Sequence, residues 1–126
     1  MVKFYRCEHC GNIIIKLHDS QVPVFCCGEK MQELIANHSD AAVEKHVPIV
    51  ATKHDKVLIQ VGSNMHPMTA EHYIEWVYVE TIHGGVIQYL QPEEKAEIIY
   101  SGKQEEIKTV YAYCNLHGLW KVENEK

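Results

Sequence analysis

Short runs of β-branched and aromatic residues, broken by glycine, proline and small polar residues, recur along most of this chain. They cover Val47 to Thr52, Lys56 to Val61, Ile74 to Ile82, Val86 to Gln91, Ala96 to Tyr100 and Ile107 to Tyr113, the composition of strands rather than helices. The breaks at Gly62-Ser63-Asn64, Gly84-Gly85, Gln91-Pro92 and Ser101-Gly102 read as turns, and His83-Gly84-Gly85-Val86 is the clearest hairpin because glycine tolerates positive φ. No helical period is sustained beyond about a dozen residues, which excludes a helical bundle or a βαβ fold. The pattern predicts a mainly β protein built on an antiparallel, immunoglobulin-like β-sandwich.

The first thirty or so residues behave differently. Ile13 to Ile15 and Val22 to Phe25 read as brief strands, too little apolar material for a core without a staple, and four of the five cysteines lie there. From Met31 to Lys45 the chain turns polar, a linker in which Ser39 or Asp40 is placed to cap a single helical turn. Two domains are therefore expected: residues 1–36, a four-cysteine metal domain with its linker, and residues 37–126, the sandwich.

At 126 residues and 46% apolar composition, the chain has enough material for one modest core plus a stapled appendage. A net charge of −5 with twelve scattered Lys and Arg residues argues against nucleic acid and against an acidic membrane surface. The first residues lack the apolar core of a signal peptide and no run is long enough to span a bilayer, so a soluble cytoplasmic protein is expected. In that reducing setting five cysteines are better used on metal than in disulfides. Nine histidines exceed what packing requires and point to metal chemistry.

Cys7 and Cys10 form a Cys-x-x-Cys turn followed by Gly11, and Cys26 and Cys27 precede Gly28. Together they supply four thiolates, a strong metal-site pattern. Neighbours on a strand point to opposite faces, so Cys26 and Cys27 share an ion only if the backbone bends there, which Gly28 permits. Zinc and iron both accept this tetrahedral set, so the metal stays open, with a purely structural zinc knuckle as the alternative. A thioredoxin-like redox pair is disfavoured because no βαβ pattern surrounds it. His9 reads as an exposed neighbour.

The second half holds Glu44, Lys45 and His46 ahead of Val47-Pro48, then His66-Pro67-Met68 with His72, then Cys114-Asn115-Leu116-His117-Gly118. Each group lies where an expected strand begins or ends, so loops at one end of a sandwich could gather them. Any one of these residues alone would be better read as a surface imidazole or a small buried thiol; five together, with a lone thiolate among imidazoles, favour a redox-active metal. His18, His38, His54 and His83 fall in expected turns and read as solvent-exposed.

These residues carry a resemblance. Cys7-x-x-Cys10 with Cys26-Cys27, the Glu44-to-Pro48 segment, His66-Pro67-Met68, His72, and Cys114-Asn115-x-His117-Gly118-x-Trp120 make the whole chain similar to the two-domain desulfoferrodoxins, superoxide reductases with a desulforedoxin-like domain ahead of the catalytic one. The resemblance implies two irons per chain. One is a tetrahedral centre on the four N-terminal cysteines; the other is a square-pyramidal centre with His46, His66, His72 and His117 equatorial and Cys114 axial. It further implies that superoxide is reduced to hydrogen peroxide at the open sixth position and that Cys114 tunes the iron. The resemblance also implies that Lys45 supplies positive charge and organises a water that protonates the product, and that Glu44 covers the oxidised iron; without the resemblance the two read as a solvated loop pair. A rubredoxin-like electron donor and a homodimer are also implied. The competing readings are a non-catalytic electron carrier or zinc-stabilised module, a true superoxide dismutase, and a peroxide sensor, the last without an evident DNA-binding element.

Overall fold

The computed structural model describes residues 2–124; Met1, Glu125 and Lys126, at the ends of the two expected segments, lie outside the described residues. The chain divides into two compact units between Ile35 and Ala36.

In the first unit, β1 (Lys3–Arg6) pairs antiparallel with β2 (Ile13–Lys16), and β3 (Phe25–Cys26) pairs with β4 (Glu29–Lys30). β5 (Gln32–Glu33) adds to the free edge of β1. The polar stretch from Met31 is therefore not all linker: Met31 is buried and the next two residues complete a sheet. Val22 to Val24, expected as a strand, is not one. Only Phe25 and Cys26 pair, because the hairpin they enter is a single tight turn. Little apolar surface is buried here beyond Phe4, Cys7 and Met31, as expected of a unit that depends on a staple.

The second unit is a sandwich of two antiparallel sheets. β6 (Pro48–Lys53), β7 (Lys56–Val61) and β10 (Glu97–Tyr100) form one, in the order β10-β7-β6. β8 (Ile74–Thr81), β9 (Gly84–Tyr89), β11 (Ile107–Cys114) and β12 (Gly118–Glu123) form the other, in the order β12-β11-β8-β9. Period-two alternation places Val57, Ile59 and Val61 of β7 against Val77 and Val79 of β8 and Val110 and Ala112 of β11, in one closed apolar core. β11, central in its sheet, is buried on both faces, its outer face covered in part by Tyr113 stacked on Trp76 with ring centroids 5.4 Å apart. β12 was not foreseen, because Gly118 and the polar ligand loop before it hide the short apolar alternation that follows.

Two local features aim the loops. The β8–β11 register shifts between Tyr113 and Cys114, so that Cys114 pairs with Ile74 and not with Glu75. This bulge keeps both Ile74 and Cys114 on the core side. The second feature is the turn after β7. Glu44, Lys45 and His46 belong to α1 (Val43–His46), a single turn whose N-cap is Ala42 with no side-chain cap; Ser39 and Asp40 lie too far upstream to serve. Ser39 Oγ instead accepts from the Ala41 N–H. So short a helix is held from outside: the Glu44 carbonyl accepts from the Asn64 N–H at 2.9 Å and from Ser63 Oγ at 3.2 Å.

Gly62 makes that approach possible. Its φ is +84°, and a Cβ there would lie 2.5 Å from the Asn64 carbonyl oxygen and 2.6 Å from the Lys45 carbonyl. Gly62→Ala is expected to lower stability by about 1–3 kcal/mol, the cost of a strained backbone held in place by its surroundings. Urea denaturation of the full chain measures it; a loss below a few tenths would show that α1 and the turn separate without cost.

Candidate metal centres

The four N-terminal cysteines converge. Every one of their sulfurs lies within 4.8 Å of the others, with Cys10 Sγ 3.6 Å from Cys26 Sγ and Cys26 Sγ 4.0 Å from Cys27 Sγ. Four sulfurs held tetrahedrally at about 2.3 Å from one ion are roughly 3.8 Å apart, so the spacing fits a metal and is far too long for disulfides. The bend that adjacent ligands require is present, with Cys27 at φ 55° and Gly28 at φ 75° forming the two-residue turn between β3 and β4. The Cys10 N–H points at Cys7 Sγ (3.4 Å), and this bond is the main reason the Cys7 thiol is lowered to about 6. Cys27 is pushed up to about 12, by its contact with the Cys10 sulfur first and the Cys7 sulfur second. Four thiolates so close cannot all be anionic without a cation among them.

At one end of the sandwich a second cluster forms. His46 arrives at the end of α1, His66 and His72 from the loop between β7 and β8, and Cys114 and His117 from the β11–β12 turn. His46, His72, Cys114 and His117 each offer a ligand atom within 4.8 Å of the others, and His66 Nε2 lies 3.1 Å from His46 Nε2. The four imidazoles run round a ring. Successive centroids are 4.6 Å (His46–His66), 4.6 Å (His66–His72), 5.1 Å (His72–His117) and 5.0 Å (His117–His46), each pair nearly perpendicular, while His46 and His72 across the ring are 6.3 Å apart.

The hydrogen bonds on the outer nitrogens decide what the inner ones present. His46 Nδ1 donates to the Ala42 carbonyl at 2.7 Å and His66 Nδ1 to the Pro67 carbonyl at 2.6 Å, which leaves both Nε2 atoms as lone pairs. His117 Nδ1 lies 3.2 Å from His46 Nε2, and the buried His72 Nε2 has no hydrogen-bond partner among the described residues. Two nitrogens bound at right angles to one cation at about 2.1 Å are roughly 3 Å apart, which the 3.1 and 3.2 Å separations match. His46 is 2% exposed, His66 3% and Cys114 0%, while His72 and His117 are half-buried. Burial accordingly pushes His46, His66 and His72 below the ordinary imidazole value, His66 to about 4, and raises the Cys114 thiol. Neutral lone pairs aimed at one another, one of them orphaned, with a thiol beside them, are a donor set for a transition metal.

Around this ring stand residues of a second kind. Trp120 stacks on His46 with centroids 4.7 Å apart and donates from Nε1 to the His117 carbonyl at 3.2 Å; its place in the sequence motif carried no sign of that double contact. The Lys45 charge acts on His46 and His72, whereas the Glu44 side chain lines a groove of about 410 Å³ with Val43, Val47, Ile49 and Val122. His9, His18, His38, His54 and His83 are all exposed and belong to neither cluster.

Two outcomes follow for metal and for protons. Cys10→Ser should halve the metal content of the full chain from two ions to one while leaving the histidine cluster loaded, read by elemental analysis; retention of two ions would remove Cys10 from the first centre. In the metal-free protein the unfolded chain protonates its histidines below an ordinary value of 6.5 while folded His66 resists to about 4, so stability is complete above pH 6.5 and is lost as the pH falls toward 4. The urea midpoint should therefore be flat above neutrality and fall through that window. A midpoint unchanged between pH 7 and pH 4 would show that the imidazoles are not held neutral.

Comparison with known proteins agrees with this anatomy. The desulfoferrodoxin family model matches residues 38–123, and the model of the desulfoferrodoxin N-terminal domain matches residues 1–34. Among curated relatives, a desulfoferrodoxin of Syntrophotalea carbinolica is 40% identical over 122 residues, covering 97% of this chain and 96% of that protein. A desulfoferrodoxin of Nitratidesulfovibrio vulgaris is 39% identical over 123 residues, covering 96% and 95%. Among solved structures, the superoxide reductase from Treponema pallidum superposes with a TM-score of 0.78 at 30% identity, over 98% of this chain and 99% of that one. With both of its metal clusters assembled and both of its segments matched, the chain belongs to the desulfoferrodoxin family.

Proposed function

We propose that this protein is a superoxide reductase. It adds one electron and two protons to superoxide to give hydrogen peroxide, at an iron held by His46, His66, His72, His117 and Cys114. The observation that carries this reading is the ring of four imidazoles, with the His46 and His66 lone pairs turned inward and His72 Nε2 without a hydrogen-bond partner among the described residues, beside one buried thiol. These five residues would hold ferrous iron, which would supply the single electron and be re-reduced by an external donor.

The chain's own residues supply the rest. Ala42 and Pro67 carbonyls hold His46 and His66 in the tautomer that faces inward. Burial excludes water from the His46 and His66 imidazoles. Burial raises the Cys114 thiol, and the Leu116 and His117 N–H groups offset that rise in part, so that its sulfur would take up charge as a cation binds. Lys45 brings positive charge to an anionic substrate in a chain of net charge −5 and orders the water that protonates the reduced oxygen species. Glu44 is the carboxylate that covers the centre in its oxidised state; its main chain is already fastened by Ser63 and Asn64.

Cys7, Cys10, Cys26 and Cys27 hold a second metal, iron or zinc. An external one-electron donor of rubredoxin type, a homodimer and a cytoplasmic setting complete the reading; five free thiols, none of them in a disulfide among the described residues, suit a reducing compartment.

The deciding measurement feeds superoxide to the reduced, iron-loaded protein with excess donor and counts products. One hydrogen peroxide per superoxide, without dioxygen above background, is expected; half a peroxide with matching dioxygen would make the protein a dismutase. Lys45→Ala should slow superoxide consumption about tenfold at low ionic strength, with the deficit shrinking as salt is added. A rate independent of both the substitution and salt would remove Lys45 from substrate capture.

A further inference from the structure

We infer that Asn115 is a positioning residue: it ties the His72 loop to the turn carrying Cys114 and His117, and thereby sets where the His72 imidazole stands. The inference rests on the reading of the imidazole ring as the metal centre.

Regular pairing between β8 and β11 ends at Cys114 and Ile74, just past the bulge. One residue later the main chain must leave the ladder to make the tight turn that brings His117 back toward Cys114. At this point the Asn115 side chain takes over the pairing. Its Oδ1 accepts from the Tyr73 N–H at 3.0 Å, the position a strand carbonyl would otherwise fill, and its Nδ2 donates to the Glu71 carbonyl at 2.9 Å. Its own N–H reaches the Tyr73 carbonyl at 3.2 Å. Glu71 and Tyr73 flank His72, so both sides of that ligand are fastened to one residue lying 42 and 44 positions away in sequence.

His72 needs this more than its neighbours do. His46 and His66 each have a carbonyl on Nδ1 that sets the ring, whereas among the described residues no hydrogen bond sets the His72 ring, and this residue's bonds run from its main chain to the Thr69 main chain and Oγ1. Its ring is placed by its backbone, which Thr69 holds directly and Asn115 holds through the residues on either side. Neither leucine nor alanine could replace this arrangement, since the site asks for an acceptor and a donor on one short side chain.

The test uses the full chain and two variants. Asn115→Leu keeps the branched shape and removes both side-chain bonds; Asn115→Asp keeps the acceptor for Tyr73 and loses the donor to Glu71. Hydrogen exchange of the metal-free protein reads the clamp, and titration with cobalt(II), followed by the shifted imidazole resonances that only the histidine cluster contributes, reads the consequence. For Asn115→Leu the Tyr73 amide is expected to exchange at least tenfold faster while Val77 and Val79 are unchanged. Cobalt affinity at the histidine cluster should fall 10- to 100-fold, the usual range for an outer-shell partner, with the His72 resonances weakened first. Asn115→Asp should fall between the two in both readouts. Tyr73 exchange and cobalt affinity within twofold of the parent would overturn the inference; if Asn115→Leu does not fold, the same criteria applied to Asn115→Asp decide it. Neither readout involves superoxide, so a failure of the reductase reading is seen separately.

Discussion

Lone pairs that face one another across a dry space repel, and the second unit of this chain is arranged around that repulsion. His46 and His66 commit their Nδ1 protons to hydrogen bonds with main-chain carbonyls, so the nitrogens 3.1 Å apart between them have only electron pairs to offer. Burial blocks the easy remedy of protonation. A cation is the remaining remedy, and the loops that converge on it come from three distant stretches of chain. Metal binding and the closure of one end of the sandwich are therefore the same event in free-energy terms, in which ion affinity and loop order cannot be separated.

The sandwich supplies what such a cluster cannot supply for itself, which is rigidity. A core of β-branched side chains between β7, β8 and β11 fixes the strand ends, and the bulge opposite Cys114 turns one thiol toward the core side at the point where the strand stops. The Gly62 turn does the same for α1, whose four residues have no cap and no length to hold a helical shape alone. Ligand positions are thus set by main-chain hydrogen bonds to the strand frame more than by the ligands' own packing.

Much of this could be read from the residues in order. Strands with β-branched runs and glycine turns were legible because period and punctuation are local properties; the two clusters were legible because ligand chemistry is confined to a few residue types. What escaped depended on distant partners. β12 is short and begins at a ligand-loop glycine, and only its pairing with β11 makes it a strand. Gln32 and Glu33 read as linker until β1 offers them an edge. The hairpin at Gly84 exists, yet its turn is Ile82-His83, with the glycines in the strand, where Gly85 leaves room for the Tyr78 ring opposite. The cap on α1 failed because the helix starts later than its polar neighbours suggest. In the same way, the sequence shows that Asn115 and Trp120 are present but not that they touch His72's neighbours and His46.

The first unit's turn has a consequence for chemical durability. By setting Cys27 in a left-handed conformation at the tip of a two-residue hairpin, the fold leaves Cys10 and Cys27 at the surface while Cys7 is buried. Exposed thiolates are the groups that peroxide attacks first, and peroxide is what a superoxide reductase releases. A metal on these sulfurs occupies the electron pairs that an oxidant would otherwise take, so the ion that staples this small unit also shields it. Depleted of that ion, the chain would be worn away by its own product from its N-terminal end, with the buried sulfur of the second centre the last to go.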